Sequence, residues 1–157
     1  MLSTAAAIPL EHVARSRELV HEMLNRLDEK HSIHNANAGE LALRHLSSPD
    51  DSLRTQALQE VERANVFRLL ERRIEDTYKA STGNLASFRK EILHEVMLLK
   101  NAASQVAREQ ALKTLACAGD EGELARVAAR RAQAQEAACA DVCHIIRRVL
   151  DKVVSAA

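Results

Sequence analysis

The chain has 157 residues, with 22 basic against 22 acidic side chains and only three aromatic residues. Since it has neither the basic excess that binds a phosphate backbone nor the aromatic platforms that stack bases, nucleic acid is a poor candidate partner. No apolar run approaches the roughly 18 residues of a membrane span. The three cysteines form no disulfide pattern, which favours a reducing compartment, the cytoplasm.

Four glycines and two prolines leave few turns, and the rest of the chain is rich in Ala, Leu, Glu and Arg. This composition predicts an all-α protein with long helices. We expect a single domain over residues 1–157, folded as an elongated, coiled-coil-like, antiparallel up-down four-helix bundle. Residues 1–8 are predicted to be a frayed lead-in to the first helix.

The first helix is predicted over about residues 9–31, where apolar side chains recur at steps of three and four. Pro9 is tolerated in its first turn. Asn35, Asn37 and Gly39 then predict a break, so residues 32–48 are assigned to a connection. The segment 41–46, which is rich in leucine, is a candidate for one short extra helix within that connection.

The second helix is predicted over about 49–80, the third over 84–117 and the fourth over 120–154. Ser48 is the expected cap of the second helix and Asn84 that of the third, after a tight turn in which Gly83 takes the left-handed conformation. Gly119 is expected to end the third helix and Asp120 to cap the fourth. Such short links force neighbouring helices to run antiparallel.

The fourth helix carries an apolar seam, predicted to face the other helices. Two seams are interrupted by arginine, at Arg17 in the first helix and Arg131 in the fourth. Each arginine either lies along a seam edge with its charge in water or pairs with an acid and fixes the helix register. The seam of the fourth helix comprises Leu124, Ala128, Arg131, Gln135, Ala138, Val142, Ile145 and Val149.

Four acidic residues precede a histidine by three positions, a spacing used by di-iron carboxylate bundles. A helical wheel places most of these histidines away from the apolar faces, so solvated charge pairs are the favoured interpretation. We therefore predict no metal site and no cofactor. A metal-binding carboxylate–histidine bundle is the alternative. The pairs are Glu18 and His21, Asp28 and His31, Glu91 and His94, and Asp141 and His144.

Cys139 and Cys143 lie one turn apart on the fourth helix. A structural zinc site would need a second pair of ligands, so both are interpreted as small buried apolar residues. The chain has no Gly-x-Ser-x-Gly motif and no phosphate-binding glycine loop. We predict no catalytic residues and no enzymatic activity.

The third helix carries more apolar surface than one buried face needs. Leu93, Met97, Ala111 and Leu115 are displaced from its main apolar stripe, and exposed apolar surface usually marks a contact site. These four residues are the predicted partner interface. The sequence therefore predicts a protein–protein interaction module, an adaptor, chaperone-like or scaffold subunit, that contacts a protein partner or further copies of itself through helical faces.

Overall fold

Four long helices make up the computed structural model, which describes residues 10–154. They contain nearly all of the described residues, among which there is no strand. The predicted all-α four-helix bundle is therefore confirmed. The predicted frayed lead-in lies outside the described residues. The helices are α1 (Leu10–Ser47), α2 (Asp51–Ala80), α3 (Leu85–Ala116) and α4 (Gly119–Val154).

Short connections make successive helices antiparallel. α1 packs chiefly against α2, and α3 chiefly against α4. The two hairpins meet along α2 and α4, which run parallel: Gln59 contacts the carbonyl of Arg130, and Glu62 contacts Arg131. At about 1.5 Å per residue, the 38 residues of α1 extend roughly 57 Å, so the bundle is elongated.

The first helix is longer than the sequence predicts. The predicted break between residues 35 and 39 and the predicted connection over 32–48 are wrong, because α1 continues without interruption to Ser47. No separate short helix exists at 41–46. The other three helices begin and end within two residues of their predicted bounds.

Contacts with α2 explain why α1 continues. The helical spacing of inward positions runs on through His31, His34 and Ala38, and both histidines hydrogen-bond to α2. Ala38 is buried. Gly39 costs about 1 kcal/mol relative to alanine in a helix interior, an amount that a few such tertiary contacts offset.

Some of the predicted capping and turn residues are confirmed by the structure, and others are wrong. α2 is capped by Asp50, whose carboxylate accepts a hydrogen bond from the Ser52 backbone N–H at 2.7 Å, so the predicted Ser48 cap is wrong. The Asn84 cap of α3 is confirmed, since its side chain accepts from a first-turn amide at 3.0 Å. Gly83 has the expected left-handed conformation, with φ of 84°.

The turn between α3 and α4 has the predicted length of two residues but begins one residue earlier than predicted. α3 ends at Ala116, and α4 already begins at Gly119, so Asp120 lies in the first turn of α4 and is not its cap. A side chain at Gly122 would place Cβ 2.5 Å from the carbonyl oxygen of Cys117. Only glycine allows this close approach.

All the large buried apolar side chains among the described residues lie in one half of the bundle, which we call the core half: residues 10–27, 67–80, 85–97 and 138–154. This half supplies most of the burial free energy, since each such side chain is worth about 1.5–3 kcal/mol. Those with the least exposure are Met23, Leu27, Phe67, Leu70, Ile74, Phe88, Ile92, Val96, Val142, Ile146, Val149 and Leu150.

In the other half, every buried apolar residue among those described is an alanine. We call this the alanine half: residues 28–47, 51–66, 98–116 and 119–137. Small side chains allow helix axes to approach closely, but each alanine removes little apolar area from water. The buried alanines are Ala38, Ala57, Ala64, Ala103, Ala107, Ala125, Ala129, Ala132 and Ala134.

The seam of α4 divides at the same boundary. In the core half the predicted positions are buried, as expected: Ala138, Val142, Ile145 and Val149. In the alanine half the predicted seam is wrong, because Leu124 is 70% exposed and Arg131 is also exposed. There α4 buries a neighbouring stripe of alanines instead, and their small side chains allow another helix to pack close.

Candidate functional site

A buried carboxylate joins α2 to α4 near the boundary of the two halves. Glu62 is 8% exposed and accepts hydrogen bonds from the guanidinium of Arg131, through Nε at 2.8 Å and through a second nitrogen. Gln135 Nε2 donates to its other oxygen at 3.0 Å. Arg131 therefore pairs with an acid and holds the two helices in register, one of the two alternatives that the sequence leaves open.

Arg17, which raises the same question in the first helix, is exposed. It takes part in none of the ion pairs formed within the described residues.

Glu71 is a second buried carboxyl, on the core-half part of α2. Burial raises its pKa, although Arg68 lies 2.7 Å from Oε2 and acts in the opposite direction. Nearby Asp28 raises the pKa further. Oε1 is buried without a hydrogen-bond partner among the described residues. Ionised Glu71 thus destabilises the fold, whereas Glu62 is fully satisfied.

Polar side chains, together with alanines, hold α1 to α2 in the alanine half. His31 Nδ1 donates to the carbonyl oxygen of Ala64 at 2.9 Å. His34 Nδ1 lies 2.7 Å from a carboxylate oxygen of Glu60, and its ring stacks on Phe67 with centroids 5.5 Å apart. These contacts fix the spacing of the two helices without filling the space between them with large apolar groups.

An open groove results between α1 and α2, with a volume of about 540 Å³. Small residues form much of its lining, and Leu46, Leu58 and Val61 are the large apolar ones. A Cβ added at Gly39 would meet nothing within 4 Å, so the chain's own packing does not use the space at this glycine. The α1–α2 groove is lined by Asn35, Ala38, Gly39, Ala42, His45, Leu46, Arg54, Ala57, Leu58 and Val61.

A second depression of about 410 Å³ lies between α2 and α4. It shares Arg54 and Leu58 with the α1–α2 groove, so the two adjoin one another. We call the two depressions together the tip surface. The second is lined by Asp51, Arg54, Thr55, Leu58, Glu123, Leu124, Arg126 and Val127.

The charges on the tip surface have both signs. Arg126 Nη2 lies 2.7 Å from Glu123 Oε1, and both side chains are more than half exposed. Asp51 adds a second acid and Arg54 a second base. Arg54 takes part in none of the ion pairs formed within residues 10–154. The surface therefore combines exposed apolar side chains with charges of both signs.

The four predicted interface residues of α3 do not form one surface. Leu93 and Met97 are half-buried and pack against the core. Ala111 and Leu115 are exposed, Leu115 to 85%. Leu93 and Leu115 are 22 positions apart, which corresponds to about 33 Å of helix. That any of the four contacts a partner stays a prediction. Leu115 is exposed enough to make such a contact.

The sequence did not single out the leucines of the tip surface. The sequence predictions place Leu46 in a connection and Leu124 in a buried seam, and they do not include Leu58. One feature of the sequence could have predicted the α1 side of this surface. The helical spacing of inward positions from His31 to His45 continues the inward face of α1 past the predicted break.

The acid–x–x–His pairs are not brought together. His21, His94 and His144 are exposed on three different helices. His31 is engaged by Ala64 through one ring nitrogen. Within residues 10–154, no group of three or more His, Cys, Asp or Glu side chains is placed to hold a metal ion.

The cysteines are unpaired, and those of α4 are buried. Burial, with smaller contributions from nearby groups, raises the pKa of Cys139 to about 11, and burial also raises the pKa of Cys143. Both thiols stay protonated at neutral pH. A protonated thiol is a poor nucleophile and a poor metal ligand, so the two side chains act as small apolar residues.

Comparison with known proteins gives no match: no protein-family model, no curated protein and no solved structure is significantly similar to the chain. No helix among the described residues is both long enough and apolar enough to span a membrane.

Proposed function

We propose that the protein is a non-enzymatic protein–protein interaction module, an adaptor, chaperone-like or scaffold subunit, and that it binds through helical faces of its alanine half. The supporting observation is the distribution of exposed apolar side chains. Among the described residues, eleven of the twelve large exposed ones lie in the alanine half, and Leu69 is the exception. Apolar surface concentrated in this way usually marks a contact site.

The difference in buried side chains between the two halves supports the same proposal. The core half has the large buried side chains that a stable fold requires, so the alanine half is free to expose leucines. The tip surface adds shape, because its floor of small residues between two helices suits helix-in-groove binding. The three free cysteines suit a reducing compartment, and we place the protein in the cytoplasm.

The experiment is a binding comparison among three purified proteins: the wild type, a Leu58→Glu/Leu124→Glu double variant and a Leu69→Glu control. Each is immobilised, exposed to extract and analysed by mass spectrometry, while light scattering records self-association. We expect the double variant to lose contacts that the wild type and the control both keep. Circular dichroism confirms that all three are folded.

Leu112 and Leu115 provide a second pair for the same comparison, at the end of α3, and are 66% and 85% exposed. If charge at both pairs leaves every captured protein and the self-association unchanged, the alanine half is not a binding surface and the proposal fails.

A further inference from the structure

The edge of α4 that faces α2 is buried in one half of the bundle and open in the other. Leu124, Arg131, Ala138 and Ile145 follow one another at steps of seven, so they lie along one line of the helix. Arg131 bonds to Glu62, which identifies this line as the edge that faces α2. Ala138 is 1% exposed and Ile145 is 8% exposed, whereas Leu124 is 70% exposed and the Arg131 side chain is more than half exposed. Beyond Ala138, α4 therefore loses its cover on this side.

α3 shows the same change. Phe88 and Val106 are 18 positions apart, about five turns, so they point in the same direction from the helix. Phe88 is fully buried and meets the ring of Tyr78 on α2 edge to face, whereas Val106 is 43% exposed. The two hairpins, α1–α2 and α3–α4, thus pack closely in the core half and stand further apart in the alanine half.

Few contacts join the two hairpins in the alanine half. Two depressions, of about 410 and 270 Å³, lie there between α2 and α4. Within residues 10–154, the hydrogen bonds that cross between the hairpins in this half all involve Gln59 or Glu62, and the Gln59 bond has a length of 3.5 Å. Arg126, which lines both depressions, pairs with Glu123 on its own helix.

We propose that the two hairpins move as arms about the contact of Glu62 with Arg131 and Gln135, so that the end of the alanine half opens and closes while the core half stays packed. The proposal goes beyond the proposed function, because it concerns the bundle with no partner bound. A hinge of this kind changes the shape of the tip surface without unfolding any helix.

Glu62 is suited to be the pivot, because its contacts are the ones that are most unfavourable to separate. The buried carboxylate accepts three hydrogen bonds from two residues of α4, and a buried carboxylate without partners is strongly disfavoured. Beyond this point the buried apolar side chains among the described residues are alanines, each of which removes little apolar area from water. Displacement of the hairpins is therefore easiest at the end of the alanine half.

Each hairpin has contacts of its own that keep its two helices together. His31 and His34 hydrogen-bond α1 to α2 in the alanine half. α3 and α4 are joined by a turn of two residues, at which Gly122 approaches the carbonyl oxygen of Cys117 closely. We therefore expect motion of one hairpin relative to the other, and not the separation of a single helix.

Pulsed electron paramagnetic resonance of spin-labelled full-length chain tests the motion. The three native cysteines are replaced by serine or alanine, and pairs of exposed residues are replaced by labelled cysteine. The tip pair is Glu40 and Glu109, one on each hairpin in the alanine half. One control pair, Glu109 and Arg130, lies within a single hairpin. The other, His21 and His94, has one label on each hairpin in the core half.

We expect the distance distribution of the tip pair to be about twice as broad as that of either control pair. Arg131→Ala removes the main donor to the pivot, so it should broaden the tip distribution further and leave both control pairs unchanged. Gln135→Ala removes a single donor to the same carboxylate and is the milder second variant. Arg126→Ala is the matched control, because this arginine is also more than half exposed but pairs within α4.

A tip pair as narrow as the control pairs overturns the proposal, and so does an equal effect of Arg131→Ala and Arg126→Ala. A pair within one hairpin that is as broad as the tip pair shows that single helices move, and a broad core-half pair shows that the whole bundle is loose. Either result also overturns it. Circular dichroism confirms that each labelled variant is folded. Since no partner takes part, failure here leaves the proposed function standing.

Discussion

Truncation of one large side chain in each half tests whether the core half carries the stability of the bundle. Ile146 is fully buried in the core half, where it belongs to the cluster formed by all four helices. Leu115, at the far end of α3, is 85% exposed. The two residues have side chains of the same size and differ only slightly in helix propensity, so a large difference between their alanine variants reports on environment.

Ile146→Ala removes buried apolar groups and leaves a cavity, for which the expected cost is about 2–5 kcal/mol. In a chain of this size that corresponds to a fall in Tm of about 5–15 °C. Leu115→Ala removes atoms that are already in water, so its effect should stay within about 0.5 kcal/mol.

The assay is guanidinium unfolding followed by far-UV circular dichroism, at low protein concentration so that self-association does not contribute. Equal costs for the two variants, or a cost above about 2 kcal/mol for Leu115→Ala, would refute the division into a core half and an alanine half.

Three further substitutions test individual contacts. Arg131→Ala leaves the buried Glu62 carboxylate without its main donor and should cost about 1–3 kcal/mol in chemical unfolding, whereas Arg126→Ala, at an exposed pair, should change stability little. Burial raises the folded-state pKa of Glu71 above its ordinary value of 4.5, so the fold loses stability as pH rises through the raised pKa and the group ionises. Glu71→Gln should therefore be more stable than the wild type at pH 7. Tm values of both proteins, measured down to pH 4, should show this difference disappearing. Gly39→Ala should raise stability by up to about 1 kcal/mol, since the helix gains an alanine and the added Cβ meets nothing; a fall in Tm at low concentration would contradict the open space there.

Local features of the sequence determined the helical class and most of the helix ends. The spacing of apolar residues at three and four, the scarcity of glycine and proline, and the side-chain oxygen of Asn84 each act within a turn or two of helix. They operate in the same way whatever the rest of the chain does. For this reason four helices, and the bounds of three of them, followed from the sequence.

The tertiary structure alone decided the course of α1 and the face that each helix buries. Asn35, Asn37 and Gly39 are poor helix formers, and contacts with α2 explain why they stay helical, chiefly the hydrogen bonds of His31 and His34. These partners lie about thirty residues away in sequence, beyond the reach of any local pattern.

The candidate site could not be predicted from the sequence for the same reason. A leucine on an amphipathic helix is buried or exposed according to which neighbour packs against it and how closely. In α4 the buried stripe of the alanine half consists of alanines and Leu124 lies outside it, whereas in α3 Leu93 and Met97 pack against the core. The sequence by itself specified the helices, and the packing between them, which depends on contacts across the whole bundle, decided which surface remained open.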